Sequence, residues 1–376
     1  MKPFVMERWQ SHYENTVRYN LSDSGVHPLT LREFLDLADA TEAALETPLS
    51  YGQTDGTRAL REGVAALYPG AAADQVIVTN GSAEANFIAA WRLVRPGDTV
   101  AVLTPTYMQL PGIADALGAE VRRIPLREEN GWQVDPEDVA RAIHEGTRLV
   151  VVTNPQNPTG IRLNETSLTA VIGAAERCGA WVLADEVYMG AEREGAETPS
   201  LFGRYERIIA TGSLSKAYGL QGLRIGWVVA PAGPAGVGRS DGLPEELWAR
   251  KDYTTISTGL LTDTLAAYAL RDDVRPRLIE RARNIIREGF EVVERWVEHV
   301  GRFHLSGHEA GGVCFPSYDL PIESMDLAER LRTEHDVLVV PGAHFELGKY
   351  LRLGIGIPAE ELEAALDRVA ELVRSF

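Results

Sequence analysis

Cysteine is scarce in this chain. Only Cys178 and Cys314 occur among 376 residues, and they form no CxxC pair. One possible bridge is no disulfide framework, so the fold must rest on its core, and the cytoplasm is the compartment that suits such cysteine usage. Long apolar runs are missing too. Nowhere do about 18 apolar residues stand together, so no segment is expected to cross a membrane. The opening residues, MKPFVMERWQSHYEN, are charged and aromatic and lack the apolar stretch of a secretory signal. There is no internal repeat and no low-complexity tract. Basic residues are outnumbered, 37 Lys and Arg against 54 Asp and Glu, for a net charge of −17. A surface of that sign repels phosphate backbones and anionic lipid, which argues against nucleic acid and membrane as partners. Otherwise the charge serves solubility.

What is present reads as an α/β protein. Short β-branched runs stand at Gln75–Val78, Thr99–Leu103, Glu120–Ile124, Arg148–Thr153, Trp181–Ala184, Arg207–Thr211 and Ile225–Ala230. Between most of them lie segments of helical period, at Ala83–Leu93, Met108–Leu117, Pro136–Ile143 and Leu168–Cys178. That alternation predicts a large domain with a mostly parallel mixed sheet flanked by helices. The tail differs. One long amphipathic helix is predicted within Asp273–Val300, with strand-like pieces at Phe303–Leu305, Gly312–Pro316 and Val337–Val340. Helices are expected at Glu323–His335 and Ala359–Phe376. This predicts a smaller α+β domain over 273–376, after a large domain over 46–272 and an N-terminal segment over 1–45. Pro231–Gly242, rich in Gly and Pro, predicts a surface loop.

Four strand-to-turn junctions carry candidate chemistry. After the strand at Arg207–Thr211 comes Ser213-Leu-Ser-Lys216-Ala-Tyr-Gly-Leu-Gln-Gly-Leu-Arg224. A lysine amine can form a Schiff base with an aldehyde cofactor, and hydroxyls with a guanidinium suit a phosphate. Asp185 ends the apolar run Trp181–Ala184, where a carboxylate needs a partner; a protonated pyridine nitrogen would serve. Asn154-Pro-Gln-Asn157-Pro-Thr-Gly160 is a turn stiffened by two prolines, able to hold the Asn157 amide against a ring oxygen. Ser82, with the amides of Ala83 and Glu84, opens a helix whose N-terminus can take an anion. Taken singly, each has a plain structural explanation: a solvated loop lysine, a helix-capping aspartate, a tight loop, an ordinary cap. Ligands of open α/β sheets bind at the carboxyl ends of the strands, and all four junctions fall there.

Together these strings resemble the class I/II aminotransferases, the fold type I enzymes dependent on pyridoxal 5′-phosphate, over nearly the whole chain. SLSKAYGLQGLRIGW and NPQNPTG are the most specific parts, and ADEVY supports them. The resemblance implies that Lys216 is the Schiff-base lysine and the acid/base. Asp185 would hold the pyridine nitrogen, and Asn157 and Tyr188 the ring hydroxyl. Tyr107 would stack on the ring, and Ser82, Ala83, Ser213, Ser215 and Arg224 would hold the phosphate. Tyr51 would reach the phosphate of a partner subunit, making a homodimer with shared sites. Arg352 would grip the substrate α-carboxylate, beside Asn157. The activity implied is transfer of an amino group from an amino acid to a 2-oxo acid. Ser22-Asp-Ser-Gly-Val-His27 and Val337-Leu-Val-Val-Pro-Gly342 are similar to a narrower set, the capreomycidine-synthase-like cyclases and arginine-oxidising relatives. In that set His27 would be a second acid/base near the substrate. One α-carbanion serves transfer, cyclisation and oxidation alike, so these strings leave the outcome open.

Overall fold

The computed structural model describes residues 2–232 and 242–376. It begins with α1 (Val5–Tyr13), β1 (Tyr19–Asn20), α2 (Leu31–Ala38), α3 (Thr41–Leu45) and α4 (Arg58–Ala65). An alternating stretch follows: β2 (Val76–Asn80), α5 (Ser82–Leu93), β3 (Thr99–Thr104), α6 (Gln109–Ala116), β4 (Glu120–Pro125) and α7 (Pro136–Ala142). It continues through β5 (Thr147–Thr153), α8 (Glu165–Cys178), β6 (Trp181–Asp185), β7 (Ile208–Ser213) and β8 (Ile225–Val229). Then come α9 (Leu243–Lys251), α10 (Leu260–Ala269), α11 (Arg275–Val300), β9 (Phe303–His304), β10 (Val313–Cys314) and β11 (Ser317–Tyr318). The chain closes with α12 (Ser324–His335), β12 (Val337–Leu338), β13 (Val340–Pro341), β14 (Leu351–Gly354) and α13 (Ala359–Val373). Of the loop expected at Pro231–Gly242, residues 233–241 lie outside the described residues.

Seven strands form one sheet in the order β2-β8-β7-β6-β5-β3-β4. All are parallel except β8, which is antiparallel to both of its neighbours. The expected mostly parallel mixed sheet is therefore present. Successive residues of a strand face opposite sides, so its β-branched runs feed two cores at once. Val150, Val152 and Val182 enter one cluster, while Leu149, Val151 and Leu183 enter another. Burying each such side chain stabilises the fold by about 1.5–3 kcal/mol. The parallel strands end on a single edge, at Asn80, Thr104, Thr153, Asp185 and Ser213, and β8 begins there at Ile225.

The C-terminal part packs α11, α12 and α13 around a three-stranded antiparallel sheet, β10-β14-β13. Two expected strands differ in extent. The run at Gly312–Pro316 keeps only β10, and β11 follows beyond Pro316 in a different sheet, because Pro316 has no N–H for a ladder and its carbonyl accepts from Leu351. Val337–Val340 becomes β12 and β13, and between them the Val339 carbonyl accepts from the Trp9 indole at 2.9 Å. β1 pairs with β12 in parallel, Tyr19 opposite Val337, which ties the N-terminal segment to the C-terminal part.

Candidate active site

One cavity of about 230 Å³ opens at the carboxyl edge of the large sheet. Its first end depends on two glycines. Gly81 sits at φ +76, and a Cβ there would stand 2.5 Å from an Arg224 nitrogen. A Cβ on Gly226 would meet the Gly81 carbonyl carbon and the Ser82 nitrogen at 2.4 Å. Without side chains at both positions, the N-terminus of α5 closes on the start of β8. Arg224 itself adopts the left-handed conformation, φ +55, and donates to the Gln221 carbonyl at 3.1 Å. Ser82, Ala83, Ser215 and Arg224 line this end. A guanidinium beside free helix amides is an anion site. Ser213 is buried behind it and accepts from the Ser215 amide at 3.2 Å. Glu84 was expected to offer only its amide. Its carboxylate turns away, accepting from Asn80 N at 2.6 Å, Thr255 Oγ1 at 2.8 Å and the Thr254 hydroxyl, so only its amide remains for an anion.

The middle of the cavity holds Asp185, Lys216, Asn157 and Tyr188. Asp185, at the end of β6, is buried, and burial pushes its carboxyl above the usual range. The Asn86 amide opposes that shift by donating to Oδ2 at 3.0 Å, and Val187 N approaches Oδ1 at 3.3 Å. Lys216 donates from Nζ to Ser24 Oγ at 2.9 Å. Tyr107 stands at the rim, its hydroxyl donating to Glu7 at 2.8 Å and its ring edge-on to Phe4. Burial, with Glu7 beside it, raises its phenol.

Arg352 forms the other end. It lies on β14, between Val313–Cys314 and Val340–Pro341, and is 1% exposed. Nη1 donates to Asn157 Oδ1 at 3.3 Å, Nη2 to the Ser22 carbonyl, and Nε has no partner. Arg352 lines the cavity, and a buried guanidinium there suits a carboxylate. The facing wall is α1, whose Glu7 and Gln10 line the cavity at helical spacing with the C-cap residue Glu14, together with Asp23 of the turn after β1. None of these three carboxylates is in an ion pair among the described residues. Burial opposes ionisation of Asp23, but Lys216 and the amides of Gly25 and Ser24 hold its carboxyl below the usual range.

Two of the expected site residues stand outside this cavity. His27 does not line the cavity: its side chain is exposed, and its amide is pinned to the Gly356 carbonyl at 2.5 Å. Gly25, against Gly312 and Gly356 with no room for a Cβ, turns Asp23 and Ser24 inward in its place. Tyr51, expected to serve a partner subunit and not its own cavity, is 90% exposed and bridged to Gly259. Sequence reasoning missed Asn86, Ser24, Asp23 and the α1 stripe. The signals were there: a lone amide inside the apolar ANFIAAW, and polar residues at i, i+3 and i+7 along α1 and its C-cap.

The fit to pyridoxal phosphate can be judged from the donors alone. A buried carboxylate, an amine on a loop and an anion pocket share one cavity, which suits a ring nitrogen, an aldehyde and a phosphate. Fold and site define a pyridoxal-phosphate-dependent enzyme of the class I and II aminotransferase family, and the chain belongs to that family: residues 24–369 match aminotransferase class I and II.

Among proteins of known role, the chain is similar to capreomycidine synthase of Streptomyces vinaceus, 34% identical over 97% of this chain and 92% of that protein. It is also similar to the arginine–pyruvate transaminase AruH of Pseudomonas aeruginosa, 30% identical over 96% of this chain and 93% of the relative. A solved pyridoxal-phosphate-dependent aminotransferase from Streptococcus suis superposes with a TM-score of 0.91 at 33% identity, covering 100% of this chain and 98% of that one.

Proposed function

We propose that the chain binds pyridoxal 5′-phosphate on Lys216 and is an aminotransferase that moves the amino group of an amino acid to a 2-oxo acid. The observation that carries this is Lys216 sharing one cavity with the buried Asp185 and the buried Arg352. When bound, the cofactor supplies an aldehyde that takes up amines and a ring that accepts the electron pair left at the α-carbon. The chain's own residues do the rest. Ser82, Ala83, Ser215 and Arg224 hold the phosphate, with Ser213 bracing the Ser215 turn. Asp185 faces the ring nitrogen. Asn157, its Oδ1 engaged by Arg352, offers its NH₂ to the ring oxygen, beside Tyr188. Tyr107 borders the ring from the α1 side. Arg352 orients the α-carboxylate. Lys216 Nζ removes and returns the α-proton, with the Ser24 hydroxyl beside it.

Tyr51 is exposed, as are Leu49, Tyr253 and Ile256, and exposed apolar side chains of this size favour a second copy of the chain as their cover. In a homodimer, Tyr51 would serve the neighbour's phosphate. Residues 1–45 would act as a substrate lid on the 273–376 domain, above the 46–272 domain that holds the cofactor.

A second reading rests on α1. Glu7, Glu14 and Asp23 offer negative charge opposite Arg352, which favours a substrate whose side chain ends in a cation, such as a guanidino amino acid. Cyclisation or oxidation of such a substrate, as in a capreomycidine-synthase-like enzyme, is then the alternative to transfer. One experiment separates the outcomes. The protein reconstituted with pyridoxal phosphate is screened by absorbance against a panel of amino acids, with oxygen and ammonia followed in parallel. Conversion to the amine form of the cofactor without oxygen supports transfer. Oxygen uptake or ammonia release on every turnover replaces it with oxidation or elimination.

A further inference from the structure

Asp185 is not alone at the floor of the cavity. Asn86, one turn into α5 and 2% exposed, donates from Nδ2 to Asp185 Oδ2 at 3.0 Å. The other side of the same amide is fixed independently: Thr211 on β7 donates its hydroxyl to Asn86 Oδ1 at 2.9 Å. Nδ2 also approaches Gln109 Oε1 at 3.3 Å, and Gln109 is anchored on the Ala83 carbonyl at 2.9 Å. Turning the amide over would set its oxygen against the carboxylate and strand the Thr211 donor, so a single orientation satisfies every partner. Three neighbouring elements, β7, α5 and β6, thus share one buried line of hydrogen bonds, and Thr211 is the register partner of Asp185 in the sheet.

We propose that Asn86 is a positioning residue that holds the Asp185 carboxylate ionised and turned into the cavity, with Thr211 setting the orientation of the amide. The inference rests on Asp185 being the carboxylate that faces the cofactor. A buried carboxylate favours its protonated, neutral form unless donors compensate it. Lys216 is the cation that faces it, while Glu186 and Tyr68 lie on the far side and add no positive charge. With Val187 N at 3.3 Å, Asn86 is the shorter of the two direct donors. A neutral Asp185 would lose its grip on a protonated ring nitrogen.

The test uses the full chain, reconstituted with pyridoxal phosphate, as wild type, Asn86→Leu, Thr211→Val and Asp185→Ala. Thermal melts show which variants fold. Difference infrared spectroscopy, blanked with Asp185→Ala, follows the Asp185 carboxyl through pH without any turnover. In Asn86→Leu the carboxyl should titrate at least about one pH unit higher, and kcat should fall about 10- to 100-fold with KM within about twofold. Thr211→Val should move both in the same direction by less. A folded Asn86→Leu with wild-type titration and kcat overturns the proposal. If Asn86→Leu does not fold, Thr211→Val decides, and an unshifted titration overturns it. Asp185→Ala separates the two levels. If it leaves cofactor affinity and kcat intact, the assignment of Asp185 fails and this inference with it. If it abolishes them while Asn86→Leu is wild type, the positioning role alone fails.

Discussion

The two ends of the cavity are built in different ways. At one end Ser82, Asp185, Ser215, Lys216 and Arg224 stand at the ends of strands that neighbour one another or one intervening strand, fixed by sheet hydrogen bonds and by two glycines with no room for a side chain. At the other end Arg352 meets Met6 across 346 residues of sequence, and the wall is one face of a nine-residue helix. The first end is a property of the sheet. The second exists only once β1 has paired with β12 and the Trp9 indole has docked on Val339. Substitutions at the first should therefore damage the chemistry itself, and those at the second the choice of substrate.

The largest effect is expected at Lys216. In Lys216→Ala, turnover should drop about 10²–10⁴-fold or more, and borohydride treatment after incubation with pyridoxal phosphate should trap no adduct by mass spectrometry. A trapped adduct with ordinary turnover would erase the distinction between the ends. Next comes Arg352→Ala, for which KM should rise about 10- to 100-fold while the absorbance of the bound cofactor stays as in wild type. An unchanged KM would refute the carboxylate role. Smaller again, Glu7→Gln with Glu14→Gln should reduce the preference for arginine over a neutral amino acid, as a ratio of kcat/KM, roughly two- to fivefold. A ratio that stays put means that α1 does not read the side chain.

The smallest effect is one of stability. Glu186 is buried behind Asp185, with Ser200 Oγ and Leu201 N on its two oxygens, and burial pushes its carboxyl up to about 8. Between the ordinary value of 4.5 and about 8 the folded chain keeps this proton while the unfolded chain has released it. Stability should therefore fall as pH rises through that window. Glu186→Gln should flatten the decline in Tm between pH 5 and 8; an identical slope would show that Glu186 does not titrate late.

What could be read from the sequence follows the same division. Six of the seven large strands were visible because burial on both faces demands nearly unbroken apolar runs, while the edge strand β4 showed itself by its place in the alternation, and the junction motifs lie within a few residues of those strands. β14 was not visible, since Leu-Arg-Leu-Gly interrupts an apolar run with a charge that only tertiary packing brings inside. α1 was missed for a related reason: it buries only Met6 and Trp9 and spends its other face on the cavity. His27 was credited with a position that belongs to Ser24, because a sequence shows that a turn exists without showing which of its side chains points inward. Asn86 sits where local pattern predicts an apolar helix residue, and its partners, Thr211 and Asp185, are more than 90 residues away.

The reversal of β8 has one more consequence. β7 leaves the sheet at Ser213 and the chain returns along β8 at Ile225, so the amine of Lys216 and the guanidinium of Arg224 hang from one short hairpin loop pegged at both feet. That loop acts as a ruler. Adding or deleting a residue between the two would change the span between the proposed covalent anchor and the proposed ionic one while leaving every strand in register, and a cofactor held by both would no longer be of matching length.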